Sequence, residues 1–355
     1  MKLDKVVIGE SMSEPHKNSR SLKHINKPRL FNKPVDYALA FQTGKGHNDA
    51  LLQRFILGRH LREENAMFCL FDEYKSIINY KDFGPDWPSS RRKPTPPDAN
   101  LYWQHLEDVH WRKPKVGSYW FWGFMRNTKR IVEVAEQKGI DWFFIDHAYL
   151  YHQRHSMFEK YGDYHNSIFR VCKNNYVIEK ITDTNDTRYL ELKAKFAKDD
   201  ELDILDWKKG GKHIVVFPPS WWLCKNLGMS AEKVLQDTID ELKKHTDREI
   251  RVRVKKIKGQ YNPTPLHEDL KDAHAVVSFQ SSAAAKAIIK GVPSFTITDK
   301  YSAAIPMSLT DLSKIETPIY PENRYEWLCN LANHQFYASE IQSGYAKRYL
   351  DEQDT

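Results

Sequence analysis

Residues 272–297 read DAHAVVSFQSSAAAKAIIKGVPSFTI, and this stretch decides the fold. Ala275 to Phe279 form a short apolar run of strand length. Gln280-Ser281-Ser282 make a polar turn, and an alanine-rich segment of high helix propensity follows. Gly291, with Pro293 two residues on, supplies a helix stop. Ser294 to Ile297 then open a second apolar strand. The pattern predicts a βαβ crossover, in which the serine turn has two readings. It can be an ordinary N-cap, or it can aim backbone N–H groups, hydroxyls and the positive end of a helix at a phosphate.

The flanks repeat the alternation. His213 to Phe217 predict a strand that ends in Pro218-Pro219-Ser220. Ala231 to His245 predict a helix capped by Ser230, with Val234, Leu235, Ile239 and Leu242 on one face. Glu249 to Lys256 alternate in character, so Arg251, Arg253 and Lys255 share one face of a strand. Tyr325 to Ala332 and Phe336 to Tyr349 predict helices. Strands alternating with helices imply parallel sheets with right-handed crossovers.

The first half carries the same signal less evenly. Tyr37 to Phe41 predict a strand running into Thr43-Gly44-Lys45-Gly46-His47-Asn48-Asp49. The spacing is neither a Walker loop nor a GxGxxG fingerprint. Glycines after a first strand still allow close backbone approach to a ligand, so Gly44, Lys45, Gly46 and Asp49 are candidate cleft residues. Ala66 to Asp72 predict a second strand. Trp87, Arg91, Arg92 and Lys93 sit in a proline-rich segment. That segment is either a solvated loop or a contact for a phosphate backbone with stacked bases. A helix from Thr128 to Lys138 precedes the buried strand Ile140 to Ile145, which ends in Asp146-His147. Imidazole can take a proton near neutral pH and a carboxylate can do the same or orient a partner, so both are candidate catalytic groups.

At 355 residues the chain exceeds one typical core, and two domains are expected. The boundaries read as a polar N-terminal extension 1–34, an acceptor domain 35–185, a linker 186–211, a donor domain 212–335 and a C-terminal helix 336–355. The net charge of +7 is compatible with an anionic partner. The four cysteines show no CxxC spacing, and no HExxH or DxD-type set stands out, so no metal is expected. No apolar run reaches a membrane span and the first residues lack a signal core, so a cytoplasmic protein with no membrane partner is expected.

From Asp272 onward, the strand, serine turn, helix and Gly-x-Pro resemble the donor half of GT-B glycosyltransferases, closest to capsule-synthesis and bacterial sialyltransferase-like members. Ser281 and Ser282 match that family's serine pair, while Lys286 stands where an acidic residue is usual. Pro218 to Ser220, Asp247 to Lys255, Leu309 to Glu316 and Phe336 to Tyr345 together resemble a bacteriophage-encoded group of glycosyltransferases. Asp146-His147 with Arg170 and Asn174 falls on that group's first-half pattern.

The resemblance implies two Rossmann-like domains facing across a cleft, with the C-terminal helix returning to the first. It implies transfer of a sugar from a nucleotide-sugar, a UDP-sugar first and a CMP-sugar second, without a metal. Ser220, Arg253, Lys255, Gln280, Ser281, Ser282 and Lys286 would hold the donor, and Asp146 or His147 would activate the acceptor hydroxyl. The acceptor is expected to be a hydroxymethyl-type base in phage double-stranded DNA, within the infected cell. Trp87, Arg91, Arg92, Lys93 and Arg170 would contact it. A surface glycan is the rival acceptor, and a non-catalytic nucleotide- or DNA-binding protein is the rival function. Monomer and dimer both stay open.

Overall fold

The computed structural model describes residues 35–42, 66–72, 77–78, 116–123, 128–150, 167–196, 202–254 and 264–353. These fall into two compact units. The first takes the described residues up to Asp146, those from 167 to Asn174, and those from Phe336 onward; the second takes 147–150 and Asn175–Gln335.

In the first unit, β1 (Val35–Gln42), β2 (Ala66–Asp72), β3 (Ile77–Ile78), β4 (Val116–Trp122), β5 (Asp141–His147) and β6 (Ile168–Lys173) share one sheet, and α1 (Thr128–Lys138) joins β4 to β5. Strands β2, β1, β4 and β5 are mutually parallel, and β3 is antiparallel to β2. The aromatic run of β4 and β5 builds the core. Phe121, Phe143, Phe144 and Ile145 are fully buried, and Trp120 stacks on Phe143 with ring centroids 4.2 Å apart. Each such side chain contributes roughly 1.5–3 kcal/mol by leaving water, so this run anchors the unit.

The second unit is an α/β alternation: α2 (Thr187–Phe196), β7 (His213–Phe217), α3 (Trp221–Asn226), α4 (Ala231–Leu242), β8 (Glu249–Val252), α5 (Leu266–Lys271), β9 (Ala273–Ser278), α6 (Ser282–Ile289), β10 (Ser294–Thr296), β11 (Ser308–Leu309) and α7 (Arg324–Asn333). Its five strands are all parallel, in the order β11-β10-β9-β7-β8. Strands β7, β9 and β10 are buried along their whole length, as parallel strands covered on both faces must be. On one face Ile214, Val216, Ala275, Val277 and Phe295 pack with Leu242, Leu312 and Ile315. On the other lies the alanine-rich α6, whose small side chains permit close approach.

The seat of α6 depends on Gly291. Its φ is +76°, and a Cβ there would run into the Asp206 carbonyl. The same strap is bonded by Leu205 N–H to Ile289 O (2.9 Å) and by Lys208 N–H to Gly291 O (2.7 Å). Residues 186–211, expected as a linker, thus include α2, which packs on α7, and the strap that holds α6; both lie in the second unit.

The chain then returns to the first unit through β12 (Gln335–Tyr337), α8 (Ala338–Gln342) and α9 (Tyr345–Gln353). The full order of the first sheet is β12-β6-β5-β4-β1-β2-β3. Phe336 to Tyr349, expected as one helix, therefore opens as a strand at the sheet edge beside β6 and breaks again at Gly344, where φ is +74°. The expected return of the C-terminus is present: Ala338 N–H bonds Ser167 O at 2.9 Å, and Asp351 of α9 pairs with Lys173 of β6 at 2.9 Å. No helix among the described residues is long and apolar enough to cross a membrane.

Candidate active site

In doubly wound sheets, ligands sit outside the carboxyl ends of the strands where the strand order reverses. In the second sheet the chain steps outward from β7 to β8, then returns to the far side of β7 as β9 and continues to β10 and β11. The reversal lies between β7 and β9. Ser220 follows β7 and Gln280-Ser281-Ser282 follows β9, so the topology puts these four candidates beyond the carboxyl ends of two neighbouring strands. Register keeps the strand ends level, because Phe217 and Thr296 both pair with Ser278.

The turn after β9 is tightly built on one side and open on the other. Ser278 Oγ accepts the Ser281 N–H at 2.9 Å. Ser281 is the N-cap of α6: its hydroxyl accepts the Ala283 N–H at 3.2 Å and its carbonyl accepts the Ala284 N–H at 3.0 Å. Those bonds satisfy part of a helix start whose first N–H groups have no intrahelical acceptors. The hydroxyl and N–H of exposed Ser282 find no acceptor among the described residues. Gln280 Oε1 is buried with no hydrogen-bond partner there either. Donors at a helix N-terminus, held by a cap and left open outward, form a seat for an anion.

Aromatic rings back this turn. Phe279 stacks on Tyr301 (5.9 Å, 9° between planes), and Tyr301 meets Tyr176 at 5.7 Å. Burial, with the nearby Asp299 charge adding to it, pushes the Tyr301 phenol above its ordinary value.

The other donor candidates are placed differently. The guanidinium of Arg253, just beyond β8, is tied to Asp269 and donates to Thr264 O at 2.9 Å. Donor-phosphate binding was expected of Arg253; in the structure these contacts join β8 to α5. Lys286 is exposed on α6. Lys255, Gly44, Lys45, Gly46, Asp49, Trp87, Arg91, Arg92 and Lys93 lie outside the described residues. The strand preceding the glycine loop, β1, ends at Gln42, and the first sheet reverses its order between β1 and β4.

In the first unit Asp146 sits near the end of β5, half-buried, with Oδ2 accepting from Arg170 Nη2 at 2.8 Å. Arg170 comes from β6, its side chain only 14% exposed, and its guanidinium lies 5.4 Å from the centre of the Phe144 ring. A contact to an external acceptor was expected of Arg170; its observed partner is Asp146. Asn174 completes this side. At φ +52° its side chain accepts the Trp142 N–H (2.9 Å) and donates to Asp141 (2.7 Å), fixing the start of β5 as Arg170 fixes its end. His147 is the last residue of β5 and is half-buried. Among the described residues no group of three or more His, Cys, Asp or Glu could hold a metal ion.

No protein-family model matches the chain, and no curated protein sequence matches it. Solved structures resemble it weakly. KpsC from Thermosulfurimonas dismutans, as a β-Kdo 2,7 transferase, shares 12% identity over 90% of this chain and 99% of its own, with a TM-score of 0.38. The β-Kdo 2,4 transferase of KpsC from the same organism shares 8% over 85% and 90%, at 0.37. UDP-GlcNAc 2-epimerase from Methanocaldococcus jannaschii, in complex with UDP-GlcNAc and UDP, shares 13% over 75% and 85%, at 0.28. Similarity at this level carries no conclusion about the present chain.

The sequence reading singled out neither Thr296, the last residue of β10, whose Oγ1 is buried with no hydrogen-bond partner among the described residues, nor exposed Asp299, three residues beyond that strand.

Proposed function

We propose that this chain is a glycosyltransferase of the two-domain GT-B plan, moving a sugar from a nucleotide-sugar to a hydroxyl acceptor. The observation that carries the reading is the open, Ser281-capped start of α6 at the strand-order reversal of the second sheet. The leaving group of such a reaction is a nucleotide whose phosphate gains charge as the anomeric C–O bond breaks. Ser282 and the helix start offer donors for that charge. The acceptor oxygen bonds to the anomeric carbon and its proton passes to a base. Asp146 has one carboxylate oxygen engaged by Arg170, which makes it a group that fixes the strand end; His147 is then the assigned proton acceptor. A UDP-sugar is the first donor to test and a CMP-sugar the second.

The acceptor is proposed as a hydroxyl of a glycan or of a hydroxymethylated base in duplex DNA. The charge of +7 favours the DNA arm. The test is a thermal-shift screen with UDP, CMP, CDP, GDP and ADP, followed by transfer assays from the matching sugar donor to hydroxymethylated DNA and to oligosaccharides. One nucleotide is expected to raise the midpoint in a saturable way. Absence of any shift, together with absence of donor turnover, would overturn the reading.

A further inference from the structure

We infer that Gln335 is a positioning residue for the proposed transfer: its side-chain carbonyl fixes the turn that carries His147. This inference rests on the proposed role of His147 as proton acceptor and adds a residue that acts through it. The pairing of β5 with β4 ends at Ile145, whose carbonyl accepts the Gly123 N–H at 2.9 Å. His147 is the last residue of β5, and 148–150 follow without helix or strand. Ala148, Tyr149 and Leu150 are nonetheless buried. A buried irregular segment has backbone groups that water cannot reach, so each needs a partner within the chain. The Leu150 N–H finds its partner 185 residues away, where Gln335 Oε1 accepts it at 2.7 Å. Tyr149 supplies a second tie, its hydroxyl accepting the Ile178 N–H at 3.3 Å.

Gln335 is fully buried, and its Nε2 has no hydrogen-bond partner among the described residues. A backbone N–H can be met only by the carbonyl end of an amide, so the Leu150 donor itself sets which way this one points. Burying a carboxamide is less favourable than burying an aliphatic side chain of similar size, most of all with its donors unsatisfied. What offsets that penalty is the bond to the turn, made three residues beyond His147. On the other side of His147, Arg170 holds Asp146 at 2.8 Å. His147 therefore stands between two fixed points, an ion pair before it and a side-chain carbonyl on the turn after it. A proton acceptor works only within hydrogen-bond reach of its donor, and a displacement of about 1 Å lowers the rate about 10²-fold.

The test is single-turnover transfer by the full chain at saturating donor and acceptor, beside nucleotide titrations. Gln335→Leu removes the carbonyl and keeps most of the volume. It is expected to slow transfer about 10- to 100-fold while nucleotide affinity stays within about 2-fold. Gln335→Glu keeps an acceptor oxygen at the same reach in either protonation state and loses only the unbonded Nε2, so the rate should return to within about 3-fold of wild type. In a His147→Ala background, Gln335→Leu should slow transfer by less than about 2-fold, because a residue that acts through His147 has nothing left to position. Gln335→Asn, shorter by one methylene, should fall between Gln335→Leu and wild type, and it carries the test if Gln335→Leu does not fold. Wild-type rates in Gln335→Leu and Gln335→Asn overturn the inference, and so does an equal loss with and without His147. Wild-type turnover in His147→Ala overturns the base assignment and this inference with it, leaving the glycosyltransferase reading standing. If wild type neither binds a nucleotide nor turns over any donor, that reading falls as well.

Discussion

The carboxyl ends of β5 and β9 are finished in opposite ways. At β5 the charges close on each other: Asp146 meets Arg170 at 2.8 Å, and Asn174 pins the other end of the strand. At β9 the backbone is braced inward by Ser278 and Ser281, while exposed Ser282 has no hydrogen-bond partner for its hydroxyl among the described residues. A strand end of the first kind holds its own shape and loses stability when a partner is cut. One of the second kind keeps binding capacity in reserve, and cutting it costs affinity with little loss of stability.

The sharpest way to break this contrast lies at β5. His147→Ala is expected to lower turnover by about 10²- to 10⁴-fold with donor affinity unchanged, read from single-turnover transfer rates beside nucleotide titrations. Equal turnover in the variant would move the base elsewhere and leave β5 as a purely structural end. Next comes the seat behind the open turn. Gly291→Ala should cost on the order of 2–4 kcal/mol in urea unfolding, because it combines a strained positive φ with a collision against the Asp206 carbonyl. A neutral result would mean that α6 is not fixed by the strap at 205–208.

Smaller effects grade the comparison. Ser281→Ala removes the N-cap and should cost about 1 kcal/mol of stability. It should also weaken nucleotide binding measured by the same thermal shift, since the helix start loses its brace. The smallest effect belongs to the first unit. Burial alone would push the Asp351 carboxyl up, but Lys347 and Lys173 outweigh it and hold it below its ordinary 3.8. A carboxyl lowered in the folded state adds stability that is fully present above its unfolded value and is lost as pH falls through the folded one. The contribution is no more than about 1 kcal/mol for so exposed a group. Lowering the pH from about 5 to about 3 should therefore reduce the urea midpoint more for wild type than for Asp351→Asn. Identical pH profiles would detach α9 from the stability of the first sheet.

The stretch 272–297 was legible because its information is local. A buried strand needs a continuous apolar run, a helix start needs a cap, and Gly291 with Pro293 must follow the end. The strand ending in Asp146-His147 was legible for the same reason. Tertiary structure alone decided the rest. The pairing of Asp146 with Arg170, of Arg253 with Asp269, and of Asp351 with Lys173 depends on which strands and helices become neighbours, and periodicity carries no record of that. The strand-order reversal between β7 and β9 is likewise a property of the assembled sheet. The serine turn by itself determined that an anion seat could exist. The order of the strands decided where that turn lies, next to the strand-order reversal.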